Sequence, residues 1–281
     1  MSTQRAVLII DDDPDELSMM TAALPGPAWQ LQGVAAEEAA ISLLKSRAFD
    51  AILISLNTPA TAWVDSVRRV RRLQPSARVI LITTGSTSID VIWSIREDIF
   101  SYFSKPFVVE ALVEMVTRAA AAENWENGIE VLSARPDWIS LRLRCRMLTA
   151  DRLVQFLREV QIDLPPSERE DLGTAFREML LNAIEHGGLF NPARTVTVSR
   201  FRLDHAIVYL IQDPGPGFSF DDLLQSAISN PPESPAAHMI YRGQHGMRPG
   251  GFGILMARKL ADELIYSEKG NEVLLVKYLD R

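Results

Sequence analysis

The 281-residue chain has a single cysteine, Cys145. No intramolecular disulfide can form, and a lone thiol fits a reducing compartment, most simply as a small buried hydrophobe. No apolar run approaches the ~18–20 residues that a bilayer-crossing helix needs. The opening residues, MSTQRAVLIIDDD, lack the apolar stretch of a secretory signal. Basic charge is in short supply: 29 Lys and Arg face 36 Asp and Glu, giving a net charge of -7. That balance argues against non-specific binding to nucleic acid or to an anionic membrane. The expectation is a cytoplasmic protein of a prokaryote.

The chain does have enough apolar residues, 47% of the total, for each half to bury a core of its own. Its length suggests about two domains on a prior of roughly 100–200 residues each. The first ~120 residues alternate short apolar runs with helical stretches. The runs AVLII, WQLQGVA, AILISL, RVILITT and FSYFS read as strands. DPDELSMMTAAL, AEEAAISLLKS, WVDSVRRVRRLQ, SIDVIWSIR and VEALVEMVTRAAAAEN read as helices. Five such βα units imply a doubly wound parallel sheet with right-handed crossovers. The segment AAAAENWENG marks the boundary, giving domains 1–122 and 123–281. Beyond it the order changes. Strands are expected around Arg135-Pro136, helices over TADRLVQFLREV and SEREDLGTAFREMLLNAIEHGG, and two strands joined at Leu203-Asp204. Thr149 and Ser167 are the expected N-caps, with Ser167 and Glu170 forming a capping box. A Gly/Pro/Ser-rich loop follows from about residue 215 to 250, then a helix over FGILMARKLADEL and a hairpin turning at Lys269-Gly270-Asn271. Segregated strands and helices make this half an α+β layer domain.

In an open α/β sheet, ligands gather at the carboxyl ends of the strands. Asp11, Asp12 and Asp13 stand there after the first strand, where carboxylates can cap a helix or hold a hard cation such as Mg²⁺. Ser55 ends the third strand, Thr83 the fourth, and Lys105 precedes a proline after the fifth. Together IIDDDPD, SLNTP, ITTGS and YFSKPF resemble the response-regulator receiver domain, with its flavodoxin-like sheet, over residues 1 to about 120. The resemblance implies Asp11 and Asp12 as Mg²⁺-binding acids, Thr83 and Lys105 as phosphoryl contacts, and Tyr102 as the switch aromatic. Ser55 falls where the family has its phosphoacceptor aspartate. A serine hydroxyl without an adjacent base is a far weaker nucleophile, and it supplies no anionic metal ligand. The first half is therefore expected to be a pseudo-receiver that works through protein contacts.

Three segments of the second half carry chemistry. In EMLLNAIEHGG, Glu178, Asn182 and His186 are spaced four apart on one helix face. Such a stripe is more often a solvated face, but a mid-helix asparagine is a poor helix former that needs a reason. In DPGPGF, Asp213 follows an apolar strand, where it can accept a hydrogen bond from an exocyclic amine; Gly215 and Gly217 let backbone come close to a ligand. In RPGGFGILMARKL, glycines at a helix start can present N–H groups to phosphate. In this order the three resemble the N, G1 and G2 boxes of the GHKL superfamily, the Bergerat-fold ATPases. The resemblance runs from about residue 130 to the end and implies binding of ATP with Mg²⁺. It gives Asn182 the Mg²⁺, with His186 beside it, and Asp213 the adenine amine, bordered by Gly215 and Gly217. Gly250, Gly251 and Gly253 present backbone to the phosphates. Residues 219–249 would form the lid, with Arg242, His245 and Arg248 as candidate phosphate contacts.

The four histidines all lie in the second half, and no room is left between the halves for a histidine-bearing helical hairpin. An autophosphorylating histidine kinase is therefore not expected. The arrangement looks most like the anti-sigma-factor serine kinases, in which a glutamate in the place of Glu178 acts as base. That likeness implies transfer of phosphate to a STAS-type antagonist, and both resemblances make a homodimer plausible. The alternative is a non-catalytic, ATP-gated protein that sequesters a sigma factor or other regulator; the proline-rich NPPESP and the altered receiver favour it, and Glu178 favours the kinase.

Overall fold

The computed structural model describes residues 4–24, 28–57, 63–85, 87–122, 125–160, 164–218, 234, 237–244 and 252–279. The chain divides into two compact units, Met1–Asn127 and Gly128–Arg281. The division falls five residues beyond the 122/123 boundary read from composition. Trp125 packs tilted against Phe100 with ring centroids 5.8 Å apart, and the Asn127 amide donates to Ile95 O and to Asp98, so these residues stay with the first unit.

The first unit is a five-stranded parallel sheet in the order β2-β1-β3-β4-β5. Its strands are β1 (Arg5–Ile10), β2 (Trp29–Val34), β3 (Ala51–Leu56), β4 (Arg78–Thr84) and β5 (Ser101–Lys105). The central strands β1, β3 and β4 are buried on both faces, which is why they read as unbroken apolar runs rather than as alternations. Helices α1 (Pro14–Ala23) and α5 (Val109–Ala121) pack together, as do α2 (Glu37–Ser46) and α3 (Trp63–Leu73), while α4 (Ser88–Arg96) lies against β5. Asp13 caps α1, its carboxylate accepting from the Asp15 and Glu16 amides, with Pro14 at the first position. Thr87 and Asp90 form a reciprocal capping box on α4. The result is a flavodoxin-like, doubly wound α/β fold.

The second unit is a six-stranded antiparallel sheet, β10-β11-β9-β8-β7-β6. The strands are β6 (Ile129–Ala134), β7 (Trp138–Arg144), β8 (Thr195–Leu203), β9 (Ala206–Gln212), β10 (Glu263–Tyr266) and β11 (Glu272–Tyr278). Helices α6 (Met147–Arg158), α7 (Pro166–Asn182) and α9 (Gly253–Leu260) pack against one another and onto this sheet. Alternation along the strands buries Ile139, Leu141 and Leu143, Val196 and Val198, Ile207 and Ile211, and Val273 and Leu275. Phe176 of α7 meets Tyr209 of β9 with ring centroids 4.7 Å apart, fixing helix to sheet. Full burial of one such side chain is worth about 1.5–3 kcal/mol.

Local details differ from the sequence reading. Thr149 is not an N-cap: α6 begins at Met147 after Arg146 and Thr149 is buried inside it. Ser167 forms no capping box, because Pro166 pre-sets the first turn and Pro165 takes the cap position. The stretch read as one long loop contains α8 (Ala237–Gln244). The last helix stops at Leu260, since Glu263–Tyr266 alternate and pair with β11 as a strand.

Candidate functional site

In the first unit the carboxyl ends of the parallel strands collect the expected residues. Ile10 pairs with Ile54, so Asp11 and Ser55 follow side by side. Both are buried, and Asp11 Oδ2 and Ser55 Oγ have no hydrogen-bond partner. A polar chain runs from Glu16 through Lys105 and Asn57 to Asp12. Lys105 Nζ donates to Glu16 and, at 3.0 Å, to Asn57 Oδ1; Asn57 Nδ2 donates to Asp12 Oδ1 at 3.1 Å. The ammonium is thus neutralised by Glu16, and no carboxylate stands at position 55. Thr83 Oγ1 lies 2.5 Å from the buried Tyr102 hydroxyl, and both hydroxyls reach Gly85 O. Among the described residues no group of three or more His, Cys, Asp or Glu side chains is placed to hold a metal ion. Asp11 stays buried beside Ser55, and Asp12 accepts from Asn57.

In the second unit three segments distant in sequence converge. Helix α7 ends in a widened π turn, Ala183–Gly187, closed by Gly188 N donating to Ala183 O at 2.9 Å. The Glu178–Asn182–His186 stripe is therefore not one straight α-helical face. Glu178 and Asn182 are half-buried on regular helix, whereas His186 is exposed on the wide turn. Gly253 opens α9 directly over the first two. A Cβ placed there would stand 2.8 Å from Glu178 Oε2 and 3.6 Å from Asn182 Nδ2. Arg177 reaches Asp151 at 3.3 Å and Glu178 at 3.8 Å.

Asp213 follows β9, where Gly215 N donates to its Oδ1 at 2.7 Å. Gly187 lies against the same carboxylate so closely that a Cβ on it would fall 2.1 Å from Oδ1. Burial pushes the Asp213 carboxyl above its ordinary range, opposed by the Gly215 N–H and by the charges of Lys269 and His186. Asp213 N also donates to Asn271 O at 3.0 Å. Gly187, Lys269 and Asn271 were not singled out by sequence reasoning. The turn Lys269–Asn271 was legible only as a hairpin, and Gly187 only as part of a motif; no local signal places them at Asp213.

Gly217 holds φ +85, and a Cβ there would sit 1.7 Å from Lys269 O, while Phe218 N donates to that carbonyl at 3.1 Å. Gly217→Ala combines a left-handed backbone, roughly 1–2 kcal/mol, with a forced shift of the β10–β11 turn, roughly 1–3 kcal/mol. A thermal melt should show the midpoint falling by more than about 5 °C; an unchanged midpoint refutes the packing described.

Cys145 lies beneath Gly188 and is fully buried. Burial pushes its thiol up to about 11. It should stay unmodified by iodoacetamide at neutral pH and react only after denaturation, read by mass spectrometry. Rapid labelling of the folded protein contradicts this. His245, Arg248, Gly250 and Gly251, the side chain of Arg242 and most of segment 219–249 lie outside the described residues.

Arranged in this way, glycine backbone packs directly against the α7 carboxylate and amide and against the Asp213 carboxylate. A purine amine could be read at Asp213, and a phosphate–metal group held between Asn182 and the α9 N-terminus.

The chain matches the family model described as a histidine kinase-like ATPase domain over residues 144–277. It matches the response regulator receiver domain over residues 7–117. Among curated proteins it is 28% identical over 134 residues to the DNA-binding response regulator MtrA of Mycolicibacterium smegmatis, covering 47% of this chain and 58% of that protein. It is 21% identical over 128 residues to the transcriptional regulatory protein ZraR of Salmonella typhimurium, covering 46% of this chain and 29% of that protein. The chain thus spans little more than half the length of the MtrA relative. A solved response regulator from Thermotoga maritima is 18% identical, with a TM-score of 0.40, covering 43% of this chain and 100% of its own. No helix among the described residues is long and apolar enough to cross a membrane.

Proposed function

We propose that this chain, which matches a response regulator receiver domain and a histidine kinase-like ATPase domain, is a signalling protein and a Mg²⁺-ATP-dependent protein serine/threonine kinase of the anti-sigma-factor type. Its substrate is a STAS-like antagonist, and the pseudo-receiver regulates it. The observation that carries the reading is Gly253 seated over both Glu178 and Asn182. A carboxylate one helical turn from that amide can accept the hydroxyl proton of an incoming serine or threonine, a role that nucleotide binding alone does not call for.

Bound ATP with Mg²⁺ would supply the phosphoryl group and the charge that neutralises it. Asp213 accepts from the adenine amine, and the packing of Gly187 and Gly215 keeps that carboxylate in place. Asn182 would hold the Mg²⁺ through its amide oxygen. Glu178 takes the proton from the incoming serine or threonine hydroxyl as its oxygen bonds to phosphorus and ADP leaves. Phosphoryl transfer asks mostly for such positioning and charge neutralisation. The protein is expected to work in the cytoplasm, as a homodimer. Incubation with γ-labelled ATP and a STAS-type protein encoded beside it tests the proposal. Label on a serine or threonine of that protein supports it; ATP binding without transfer turns the reading to a nucleotide-gated sequestering protein.

A further inference from the structure

We infer that Arg177 is a positioning residue for Glu178: anchored on Asp151 of α6, its guanidinium holds one oxygen of that carboxylate so that the other is presented to the start of α9. This rests on the kinase reading above, in which Glu178 takes the hydroxyl proton. Arg177 and Glu178 are consecutive on α7, and neighbours one residue apart do not ordinarily face each other on a helix. The arginine side chain turns back nonetheless. Its Nη1 stands 3.8 Å from Glu178 Oε1, within the range of an ion pair, and its Nη2 donates to Asp151 Oδ1 at 3.3 Å. Asp151 is buried within α6, so the far end of this tie is fixed by packing. The other glutamate oxygen, Oε2, is the one that a Cβ at Gly253 would meet at 2.8 Å. The two oxygens thus have different neighbours, a cation for Oε1 and the glycine that opens α9 for Oε2. The last torsion of a glutamate is broad, so an untied carboxylate samples many orientations. A general base must bring one oxygen to about 2.6–3.2 Å from the proton donor, and the Arg177 contact narrows that choice.

A second ion pair between the same two helices separates holding the helices together from holding the base. Arg158 of α6 donates to Glu170 of α7 at 2.9 Å. From that contact to the Asp151–Arg177 contact the chain advances from 170 to 177 on α7 and runs back from 158 to 151 on α6, so the helices are antiparallel and the contacts lie about two turns apart. Both contacts join α6 to α7, but their polarity is opposite. In the first, α6 supplies the arginine and α7 the carboxylate; in the second, α6 supplies the carboxylate and α7 the arginine. Had the first order been kept, α7 would carry a second carboxylate directly beside Glu178. The reversal puts the cation there instead, and Asp151 on the neighbouring helix takes its other side.

Two substitution cycles on the full chain test the assignment. In single-turnover transfer from γ-labelled ATP to the STAS-type protein encoded beside it, Arg177→Gln should slow transfer about 10- to 100-fold, the effect of a displaced reacting group, with ATP affinity by calorimetry within about twofold. In a Glu178→Gln background the same substitution should change the residual rate by less than about twofold, because Arg177 acts through Glu178. Arg177→Lys, which keeps a cation against Asp151 but lacks the planar fork, should recover part of the rate. Arg158→Gln, at the control contact, should lower the melting midpoint and leave transfer unchanged. An equal loss on Arg177→Gln with and without the Glu178 carboxylate, or no loss at all, overturns the inference. The second cycle needs no transfer. In protein labelled with ¹³C-glutamate, the Glu178 carboxylate resonance, assigned through Glu178→Gln, should move on Asp151→Asn and should stay in place when Asp151→Asn is made in an Arg177→Gln background. A resonance that ignores Asp151, or that still responds to it without Arg177, overturns the inference. If the unsubstituted chain labels no partner, or Glu178→Gln keeps full transfer, the kinase reading fails, and the resonance cycle alone decides whether Arg177 ties Glu178 to α6.

Discussion

Glu178→Gln should lower phosphoryl transfer to the partner protein by about 10²–10⁴-fold, the usual worth of a positioned general base, while leaving ATP binding within about twofold. The amide has the same shape but cannot take a proton at neutral pH. Two features of the site make this separation of effects the expected one. Glu178 and Asn182 are one helical turn apart, so substituting the first need not displace the second. The Asp213 pocket lies on other elements, after β9 and beside Gly187, and does not include Glu178. Single-turnover transfer with labelled ATP, beside calorimetric titration of the same samples, measures both quantities. A variant that keeps full transfer removes Glu178 from the role of base. A variant that loses both transfer and ATP binding makes Glu178 a binding residue instead.

Asp213→Ala should weaken ATP binding by about 10–150-fold, the worth of a hydrogen bond to a charged group, about 1.5–3 kcal/mol. GTP, which carries no exocyclic amine at the same ring position, should not bind tightly to either form. The pH dependence follows from the environment of the carboxylate. Burial raises its proton affinity in the folded state. The ionised form that accepts from the amine is therefore lost on acidification at a higher pH than for an ordinary carboxylate. The sign for stability is the reverse: the folded chain holds this proton more tightly than the unfolded chain, so Asp213 favours folding most below its unfolded range. That contribution is lost as pH rises through the folded-state value. ATP affinity should thus fall with acidification while this one group becomes less costly to bury. Lys269→Ala removes a charge that opposes the upward push, and should move the fall in affinity to still higher pH. If Asp213→Ala shows the same acid limb as the unsubstituted protein, another group carries it.

The motifs were legible because they are local. Asp11, Ser55, Thr83 and Lys105 each sit at or just past a strand end, and strand ends are readable from apolar runs. The β1–β3 register then brings Asp11 and Ser55 together without further information. Glu178 and Asn182 were readable as neighbours because four residues make about one helical turn. His186 belonged to the same pattern, but the π turn takes it off that face, and the spacing of side chains does not distinguish the two geometries. Lys105 shows the other limit. Its partner could be named only as an absent carboxylate at position 55, whereas the fold gives it Glu16, from the first helix, and Asn57. No spacing rule connects residues 16 and 105, because the chain between them passes through four strands.

What the sequence alone determined is the order and kind of its elements and the chemical groups at their ends: a parallel, doubly wound unit with serine where an acceptor carboxylate would be, then an antiparallel layer unit with glutamate and asparagine one helical turn apart. Those are consequences of hydrophobic period and of which side chain follows it. Only the tertiary structure decided that Gly253 comes to rest on Glu178 and Asn182, that Gly187 and the Lys269–Asn271 turn enclose Asp213, and that Asn127 is fastened to Asp98. These are close approaches between segments far apart in the chain. They depend on how two surfaces fill space together, which no single segment encodes.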